Sequence, residues 1–522
     1  MLSIYDCVTF CKLFNLNKVN DVVSLLIMIN IDLVEHISLN TASKISQKRS
    51  DHKDKRMNPS SEHSSSNPDQ SNALEAAGID TQAMHLPHNP DFDNDKWFPV
   101  WRPFKGDIDV NPVGINEYLP PSKSILLGIQ HTFAMFGATV LAPLLMGFDA
   151  NLAILMSGIC TIMFFMITGG RMPSYLGSSF AFIGPVIAVT AYAGTGFNSN
   201  LDVALGGIMV CGIIYALVGL LVMKTGTGWI ERLMPPIVTG AIVMIIGLNL
   251  APVTIQGVSA NQFDAWMATF TVLLISGVAV FTRGMLRRLL LLVGLVLSYA
   301  VYYIVTNVLG YGTPIDFSSV AAASWFGLPT IHTPRFELSA IILIAPVAFI
   351  LIAENLGHFK AVEGMTKARV TPYMGRAFLA DGLATTFSAG FGGTGVTTYA
   401  ENIGVMAVTK IYSTTIFVIA GIVAVILGLS PKFGAIIQTI PPALLGGASI
   451  VVFGLITIAG LKIWIDSNID FSKNSNLIIA AVTVIMGTGN FSLNLGGFDL
   501  GGIGTATLAA IVLNALFSRQ KD

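Results

Sequence analysis

The sequence predicts an all-α polytopic membrane protein, and three observations support this fold class. Hydrophobic residues make up 53% of the 522 positions and charged residues only 11%, which is too apolar for a soluble multidomain protein. Apolar stretches of about spanning length recur from residue 124 to near the C-terminus. The 51 glycines agree with helices that approach each other closely in lipid and with breaks inside those helices.

Residues 1–120 differ from the rest of the chain and form a polar extension that we expect to be disordered. They are rich in Ser, Asn, Asp and Pro after residue 40, and such a composition buries too little apolar surface to fold. Residues 22–31 are apolar but too few to span a membrane comfortably, and they lack the features of a signal peptide. We further expect that translation starts at Met57.

Residues 121–518 form the predicted transmembrane domain, in which we count fourteen apolar segments. The segments cover residues 124–147, 152–169, 174–194, 203–223, 233–251, 264–281, 289–309, 338–359, 376–391, 396–411, 413–429, 441–460, 475–488 and 501–517. Lys and Arg concentrate at alternate boundaries, and only Arg335 and Lys432 interrupt the pattern. Because short cytoplasmic loops concentrate basic residues, both termini are predicted to be cytoplasmic and the number of spans even.

Segments three and ten share a pattern that predicts an inverted repeat. Residues 173–185 and residues 392–404 are both polar and rich in small side chains before they become apolar. In segment ten this indicates an extended entry followed by a helix that starts near Tyr399. Seven segments separate the two, and an odd offset reverses the orientation in the membrane, as a repeat of seven plus seven requires. The two helix N-termini would then converge at the midplane.

Three titratable side chains inside apolar segments are candidates for a functional site. Glu401 lies in segment ten, and Glu354 and His358 lie four residues apart in segment eight, on one face of a helix. A carboxylate near the bilayer centre costs about 2.5 to 3.5 kcal/mol on insertion scales, so it usually faces a wetted cavity lined by protein. A buried ion pair that only joins two helices is the structural alternative.

Two further polar residues allow both a structural and a functional interpretation. Asp381 lies near the start of segment nine, where it could cap a helix N-terminus or serve as a functional acid. His131 lies in segment one, and we favour an interhelical contact over a ligand contact for it. The chain has no P-loop spacing that would indicate an ATP motor, and no basic run with interleaved aromatics that would indicate nucleic-acid binding.

Four motifs resemble, in order, those of the nucleobase-ascorbate transporter family, also called nucleobase:cation symporter family 2. They are Gln130-His-x-Phe-Ala-Met-Phe-Gly-Ala-Thr139, Tyr175-Leu-Gly-Ser-Ser-Phe180, Ala353-Glu-Asn-Leu-Gly-His358 and Glu401-Asn-x-Gly-x4-Thr-Lys410. The resemblance covers about residues 124–518. It is strongest to the bacterial uracil and pyrimidine permeases of the pyrimidine-utilisation pathway.

This resemblance implies fourteen transmembrane segments in a 7+7 inverted repeat with two domains. Segments 1–4 and 8–11 would form a core domain, and segments 5–7 and 12–14 a gate domain. Segments three and ten would each hold a short strand before a half-helix. Proton coupling would involve His358, Glu354 and Asp381, and the base would be held by Glu354 and Glu401. The other substrate-binding residues implied by the resemblance are Phe180, Ala138, Tyr399, Ala400 and Phe453.

The sequence departs from the uracil permease pattern at two of these positions, and a third bears on the choice of substrate. Ala400 stands where the pattern has glycine, and Phe453 aligns with a tyrosine on the gate side, which changes the pocket volume and removes one hydroxyl. Asp381 matches the acid of the purine-transporting branch, where some uracil permeases carry asparagine. A purine permease for xanthine or uric acid is therefore the alternative within the family.

The chemistry of uracil agrees with the candidate residues. Uracil has N–H donors flanked by carbonyl acceptors on a flat apolar ring, so a carboxylate can accept from an N–H while half-helix amides donate to a carbonyl. We expect proton-coupled import of uracil, with thymine or xanthine as further substrates, across a bacterial inner membrane. The expected partners are uracil, protons and lipid, without a cofactor, a metal or nucleic acid. The oligomeric state stays open, and a homodimer is one alternative.

Other classes of protein fit the sequence less well. An anion exchanger of the same architecture would favour a cationic or neutral site, which Glu354 and Glu401 oppose. An intramembrane metalloenzyme could use these two glutamates with His358 and His131, but a compact ligand motif such as H-E-x-x-H is absent. A passive channel would show uptake that ignores the proton gradient. We therefore expect a transporter and no enzymatic activity.

Overall fold

The structure is a computed structural model that describes residues 89–108, 111–192, 196–259, 261–495 and 498–517. Helices dominate these residues. The expected translation start at Met57 and most of the predicted extension lie outside the described residues.

The elements are numbered in chain order. The helices up to residue 322 are α1 (Pro121–Met146), α2 (Ala150–Thr168), α3 (Ile183–Thr190), α4 (Leu201–Thr225), α5 (Gly228–Leu233), α6 (Pro236–Val258), α7 (Gln262–Phe281), α8 (Met285–Arg288), α9 (Leu290–Tyr303) and α10 (Ser318–Ala322). The later helices are α11 (Leu338–Ile344), α12 (Val347–Thr366), α13 (Met374–Gly390), α14 (Ala400–Thr409), α15 (Thr414–Gly428), α16 (Pro431–Gln438), α17 (Pro442–Asp466), α18 (Asn474–Thr488) and α19 (Gly501–Phe517).

The strands are short and form three pairs. They are β1 (Arg102–Pro103), β2 (Glu117–Tyr118), β3 (Leu176–Ser178), β4 (Val396–Thr398), β5 (Asn494–Leu495) and β6 (Phe498–Asp499). The pairs are β1 with β2, β3 with β4 and β5 with β6. Short 3-10 turns precede α3 and α13, and a π-helical turn extends α9.

Apolar helices of spanning length recur along the described residues, which makes the chain a multi-pass membrane protein. Eight helical units there are long and apolar enough to cross a membrane, and a ninth is counted if α15 and α16, bent by 80°, form one span. Each of the fourteen predicted segments contains a helix. The predicted all-helical polytopic class is therefore confirmed, whereas the count of fourteen spans and the 7+7 repeat stay predictions.

The helices pack in two sets. In the first set α4 runs along α13, α2 runs along α15, and α15 also contacts α1. In the second set α6 runs along α17 and α18, α7 along α17, and α18 along α19. A Cβ atom on Gly382 of α13 would lie only 2.3 Å from the backbone nitrogen of Ala216 in α4, so this close crossing requires glycine. The first set also includes α3 and α14, which contact α1, and α12, which contacts α4. The first set comes from the predicted core segments and the second from the predicted gate segments, and the division into a core and a gate domain stays a prediction.

Residues 111–119, which we call the N-terminal strap, pair with the backbone after α14. The Val113 N–H donates to the Lys410 carbonyl at 2.9 Å, and the Tyr412 N–H donates to the Val113 carbonyl at 2.9 Å. Val113, Ile115 and Leu119 are all buried. The prediction of disorder up to residue 120 is therefore wrong for the strap. The average composition of residues 1–120 is polar, and it does not reveal the three apolar side chains that become buried.

Arg171, which comes after α2, holds the residues that precede the strap. Its guanidinium is fully buried and donates to the carbonyls of Phe92 at 2.6 Å and Lys96 at 2.5 Å, and to Asn94 Oδ1 at 3.0 Å. It also donates to the Tyr373 hydroxyl and lies 4.6 Å from the centroid of that ring. One cation thereby ties residues 92–96 to the ends of α2 and α13.

We expect Arg171→Met to lower the stability of the protein substantially. Hydrogen bonds to a charged group contribute about 1.5–3 kcal/mol each, and several are lost together, so the loss should reach about 3 kcal/mol or more. Thermal unfolding of the purified protein in detergent measures the change. Arg102→Met is the matched control, since the Arg102 side chain is 64% exposed in its ion pair with Asp91 and such pairs contribute about 0–1 kcal/mol. Equal melting temperatures for the two variants would contradict the role of Arg171.

Candidate functional site

The site is built on the antiparallel pairing of β3 with β4. Leu176 pairs with Thr398, Gly177 with Thr397 and Ser178 with Val396. A 3-10 turn and α3 come after β3, and α14 comes after β4. Because the two strands run in opposite directions and each leads into a helix, two helix N-termini start beside one short sheet. The unpaired N–H groups and the positive dipole ends of both helices favour electronegative ligand atoms there.

Tyr399 fixes the start of α14 against β3. Its hydroxyl donates to the Ser178 carbonyl at 2.9 Å and accepts from Thr139 Oγ1 at 3.1 Å. Its ring covers Gly177, where a Cβ atom would lie 2.5 Å from Tyr399 Cζ. Tyr399 and Ala138, both expected to line the pocket, are 3% and 0% exposed. The phenol of Tyr399 therefore holds β3, α1 and the start of α14 together.

Glu401 and Glu354 come from two helices, α14 and α12, that contact each other. His358, one turn after Glu354, lies 2.8 Å from Thr398, which precedes Glu401 by three residues. Glu401 is the second residue of α14. Glu354 lies in the middle of α12, and both side chains are partly exposed. Ala400, the first residue of α14, is exposed beside them. Two partly exposed acidic groups therefore lie on neighbouring helices, one of them at the N-terminus of α14.

Two aromatic rings meet between the two helix sets. Phe180, in the turn before α3, and Phe453, on α17, have ring centroids 6.2 Å apart and ring planes at 89°. Phe453 is buried and Phe180 is partly exposed. Two of the residues that the resemblance implies for substrate binding therefore contact each other, in an edge-to-face arrangement.

Asp381 belongs to a buried hydrogen-bond network behind the carboxylates. Asn355 Nδ2 donates to Asp381 Oδ2 at 2.6 Å and to the Tyr215 hydroxyl at 2.7 Å, while the Thr398 hydroxyl donates to Asn355 Oδ1. Asp381 is fully buried and lies in the middle of α13, which begins at Met374. The alternative that Asp381 caps a helix N-terminus is wrong, because its helix starts seven residues earlier.

His358 connects to this network through Thr398 of β4. His358 Nδ1 lies 2.8 Å from Thr398 Oγ1. Since the single hydroxyl proton of Thr398 is donated to Asn355 Oδ1, Thr398 accepts from the Nδ1–H of His358. In the neutral form of His358 this fixes the tautomer. The lone pair of that imidazole is then on Nε2, the atom that can take up a proton.

His131 of α1 makes interhelical contacts, as favoured from the sequence. Asn402 Nδ2 of α14 lies 3.1 Å from His131 Nδ1 and donates to the His131 carbonyl at 3.0 Å. The imidazole also packs on Phe417 with 4.6 Å between ring centroids. Within the described residues no group of three or more His, Cys, Asp and Glu side chains is placed to hold a metal ion.

Broken helices beside a short central sheet, with carboxylates inside an apolar helical fold, define a membrane-embedded transport protein. The sequence model of the permease family matches residues 122–496. The chain belongs to this family of permeases, the nucleobase:cation symporter 2 family, whose members move substrates across membranes and are not enzymes.

Several relatives are similar over most of their length. The proposed pyrimidine permease RutG of Escherichia coli (strain K12) is 61% identical over 423 residues, which are 81% of this chain and 96% of RutG. The uracil permease of the same strain is 38% identical over 415 residues, with 78% of this chain and 94% of the relative covered. The uracil permease of Bacillus subtilis (strain 168) is 33% identical over 433 residues, with coverages of 78% and 96%.

Solved transporter structures share the fold at low identity. The transmembrane domain of the cyanobacterial bicarbonate transporter BicA has a TM-score of 0.51 at 16% identity, with 75% of this chain and 97% of that domain covered. The murine anion transporter Slc26a9 in its inward-facing state has a TM-score of 0.59 at 12% identity, with coverages of 89% and 76%. At these identities the likeness concerns the fold alone.

Sequence reasoning missed three residues that organise the site: Asn355, Thr398 and Tyr215. Asn355 directly follows Glu354, and a polar amide inside an apolar segment was a usable signal. Thr398 and Tyr215 carried no such signal, since threonine and tyrosine are common in apolar helices and strands. Only the folded chain shows that they meet around Asn355.

Proposed function

We propose that this permease imports uracil together with protons across the cytoplasmic membrane of a bacterium. The observation that carries the proposal is the contact of α12 with α14, which brings Glu354 and Glu401 from distant parts of the chain onto neighbouring helices. The names of the relatives, which are uracil and pyrimidine permeases, support a nucleobase as the substrate. Thymine and xanthine are further candidates for transport.

The proposed binding mode uses the groups that border the site. Carboxylate oxygens of Glu354 and Glu401 accept hydrogen bonds from the ring N–H groups of uracil, and a free N–H at the start of α14 donates to a ring carbonyl. Phe180 packs against the flat ring, and Phe453 closes the site from α17. Ala400 lies at the mouth of this space, where a larger side chain would compete with the substrate.

We further propose that transport moves the two helix sets relative to each other. The first set carries Glu354, Glu401 and Phe180, and the second carries Phe453. In this proposal the fourteen segments span the membrane as a 7+7 inverted repeat, with a core domain, a gate domain and both termini in the cytoplasm. Rocking of one set against the other alternates the access to a fixed site.

Proton coupling would use the two carboxylates together with His358. Two neighbouring negative charges repel, so binding one proton between them relieves the repulsion and prepares an uncharged base to be held. His358 Nε2 is the neighbouring proton acceptor, and the Asn355 network holds the imidazole in place. One proton that moves through 100 mV supplies about 2.3 kcal/mol, enough for roughly fifty-fold accumulation.

Competition of labelled uracil uptake by unlabelled bases, with and without a protonophore, tests the proposal. We expect uracil to compete best and the protonophore to abolish accumulation above the external concentration. Stronger competition by xanthine than by uracil would favour the purine alternative, for which Asp381 is the matching acid. Accumulation that ignores the protonophore would contradict proton coupling.

Replacement of His358 should separate proton use from substrate binding. We expect His358→Gln to reduce accumulation from roughly fifty-fold to no accumulation, because glutamine can still donate to Thr398 but cannot take up a proton. Equilibrium binding of uracil should stay close to that of the unmodified protein. His358→Leu, which also loses the hydrogen bond to Thr398, should weaken binding as well. An unchanged pH dependence of uptake in both variants would remove His358 from the coupling mechanism.

A further inference from the structure

A cavity of about 410 Å³ lies next to the candidate site, between the two helix sets. Gly184 and Pro185 of α3 and Ile350 of α12 form one wall, and Asn249 of α6 and Ile503 of α19 form the opposite wall. Its described lining contains no charged side chain. The volume is within the range of about 300–1,000 Å³ that is typical of small-molecule sites.

The cavity is one helical turn away from the candidate site on two elements. Gly184 comes four residues after Phe180, and Ile350 comes four residues before Glu354. At a rise of 1.5 Å per residue, four residues of α-helix correspond to about 6 Å. A molecule in this cavity would therefore be adjacent to the Glu354 and Glu401 site without touching both carboxylates.

Asn249 presents an unused acceptor to this cavity. Its Nδ2 donates to the Gly487 carbonyl at 2.8 Å and to Asn490 Oδ1 at 3.3 Å, which fixes the orientation of the amide. A Cβ atom on Gly184 would lie 3.6 Å from Asn249 Oδ1, so this oxygen faces α3 across the gap. Among the described residues it has no hydrogen-bond donor.

We propose that the cavity is a second binding site for a flat, uncharged heterocycle with a ring N–H, occupied before or after the site between the carboxylates. Asn249 Oδ1 accepts the ring N–H, and the side chains of Pro185, Ile350 and Ile503 pack against the ring. The inference rests on the proposed uptake of uracil. One neutral hydrogen bond strengthens binding about two- to tenfold, so this site binds more weakly than a pair of carboxylates does.

Protection of a cysteine in the cavity from alkylation tests the second site. Ala188 lines the cavity and is exposed, and Cys160 and Cys211 are buried. Ala188→Cys is introduced together with Cys7→Ser and Cys11→Ser, and its rate of reaction with N-ethylmaleimide is measured with increasing uracil. We expect uracil to slow the reaction, and to do so equally when Glu401→Gln is added. Loss of the protection in the Glu401→Gln background would overturn the proposal, since the protection would then come from the carboxylate site.

Two further variants and one ligand analogue probe the role of Asn249. Added to the Glu401→Gln background, Asn249→Leu should raise the uracil concentration for half-protection about two- to tenfold. Gly184→Ala, whose Cβ makes only contacts of 3.6 Å or more, should weaken the protection without disturbing the fold. 1,3-Dimethyluracil has no ring N–H and should need at least about two- to tenfold more than uracil for half-protection. Equal protection by this analogue would overturn the hydrogen bond to Asn249 and indicate apolar occupancy, as by a lipid chain.

Uracil uptake in the same membranes separates this inference from the proposed function. The measurement uses the protein without Ala188→Cys. If uptake is normal but uracil never protects the introduced cysteine, only the second site is refuted. If the protein takes up no uracil, the proposed function fails and the second site fails with it.

Discussion

Uracil uptake is expected to be lost in Glu401→Gln. The amide keeps the size of the side chain but replaces a charged acceptor with a neutral group whose NH₂ faces the ring N–H of the base. Hydrogen bonds to a charged group contribute about 1.5–3 kcal/mol, so binding should weaken at least about tenfold. Glu354→Gln should have nearly the same effect. Equilibrium binding and initial uptake of labelled uracil measure both variants.

Glu337→Gln is the control for this charge removal. Glu337 lies at the start of α11 with a 41% exposed side chain, in an ion pair with Arg335. The same chemical change there should leave uracil binding unaltered. Near-normal uptake in Glu401→Gln would exclude the carboxylate from the site, and equal losses in all three variants would indicate a general defect of folding.

The second large effect is expected at Gly177→Ala. The added methyl group would lie 2.5 Å from the ring of Tyr399 and 2.6 Å from Thr139 Oγ1. Both groups are buried and bonded to each other, and the Tyr399 ring cannot move away without losing its hydrogen bond to the Ser178 carbonyl of β3. The start of α14, and Glu401 with it, would be displaced, so we expect uracil uptake to fall by about five- to hundredfold, as overpacking costs about 1–3 kcal/mol.

Gly364→Ala provides the matched control for the added methyl group. Gly364 is an exposed helical residue of α12, and a Cβ there would meet no other atom within 4 Å. Alanine favours the helix over glycine by about 1 kcal/mol, so this variant should be at least as stable as the unmodified protein and fully active. Full activity of Gly177→Ala would show that the strand pairing tolerates a shift.

The titratable residues of the candidate site were more predictable from the sequence than the residues that hold them in position. Glu354, His358 and Glu401 stand out because inserting charged or titratable residues into a membrane costs free energy. Such residues inside an apolar segment can be recognised from the sequence alone. Tyr399 was expected to line the pocket, but its hydroxyl bonds across to β3, a contact 221 residues apart in the chain. Such pairing depends on which segments become neighbours, and residue patterns within one segment do not contain that information.

The fold shows the same division between local and long-range information. The breaks before α3 and α14 were predictable from local runs of small and polar residues, and both are present as strands. The strap was missed because Val113, Ile115 and Leu119 are too few to change the average composition of a polar region. Asp381 was expected near a helix start because the predicted apolar segment begins at residue 376. The helix α13 begins two residues earlier, at Met374, and Asp381 lies in its middle.

The pairing of β3 with β4 has a consequence for biosynthesis. Leu176 leaves the ribosome 222 residues before its partner Thr398, since 398 − 176 = 222. At about 5–20 residues per second, this delay is on the order of 10–45 seconds. During that interval the amide and carbonyl groups of β3 are inside or beside the bilayer without their final partner, where lipid cannot satisfy them. The nascent first half therefore has to be kept hydrated or shielded by the insertion machinery until the second half arrives.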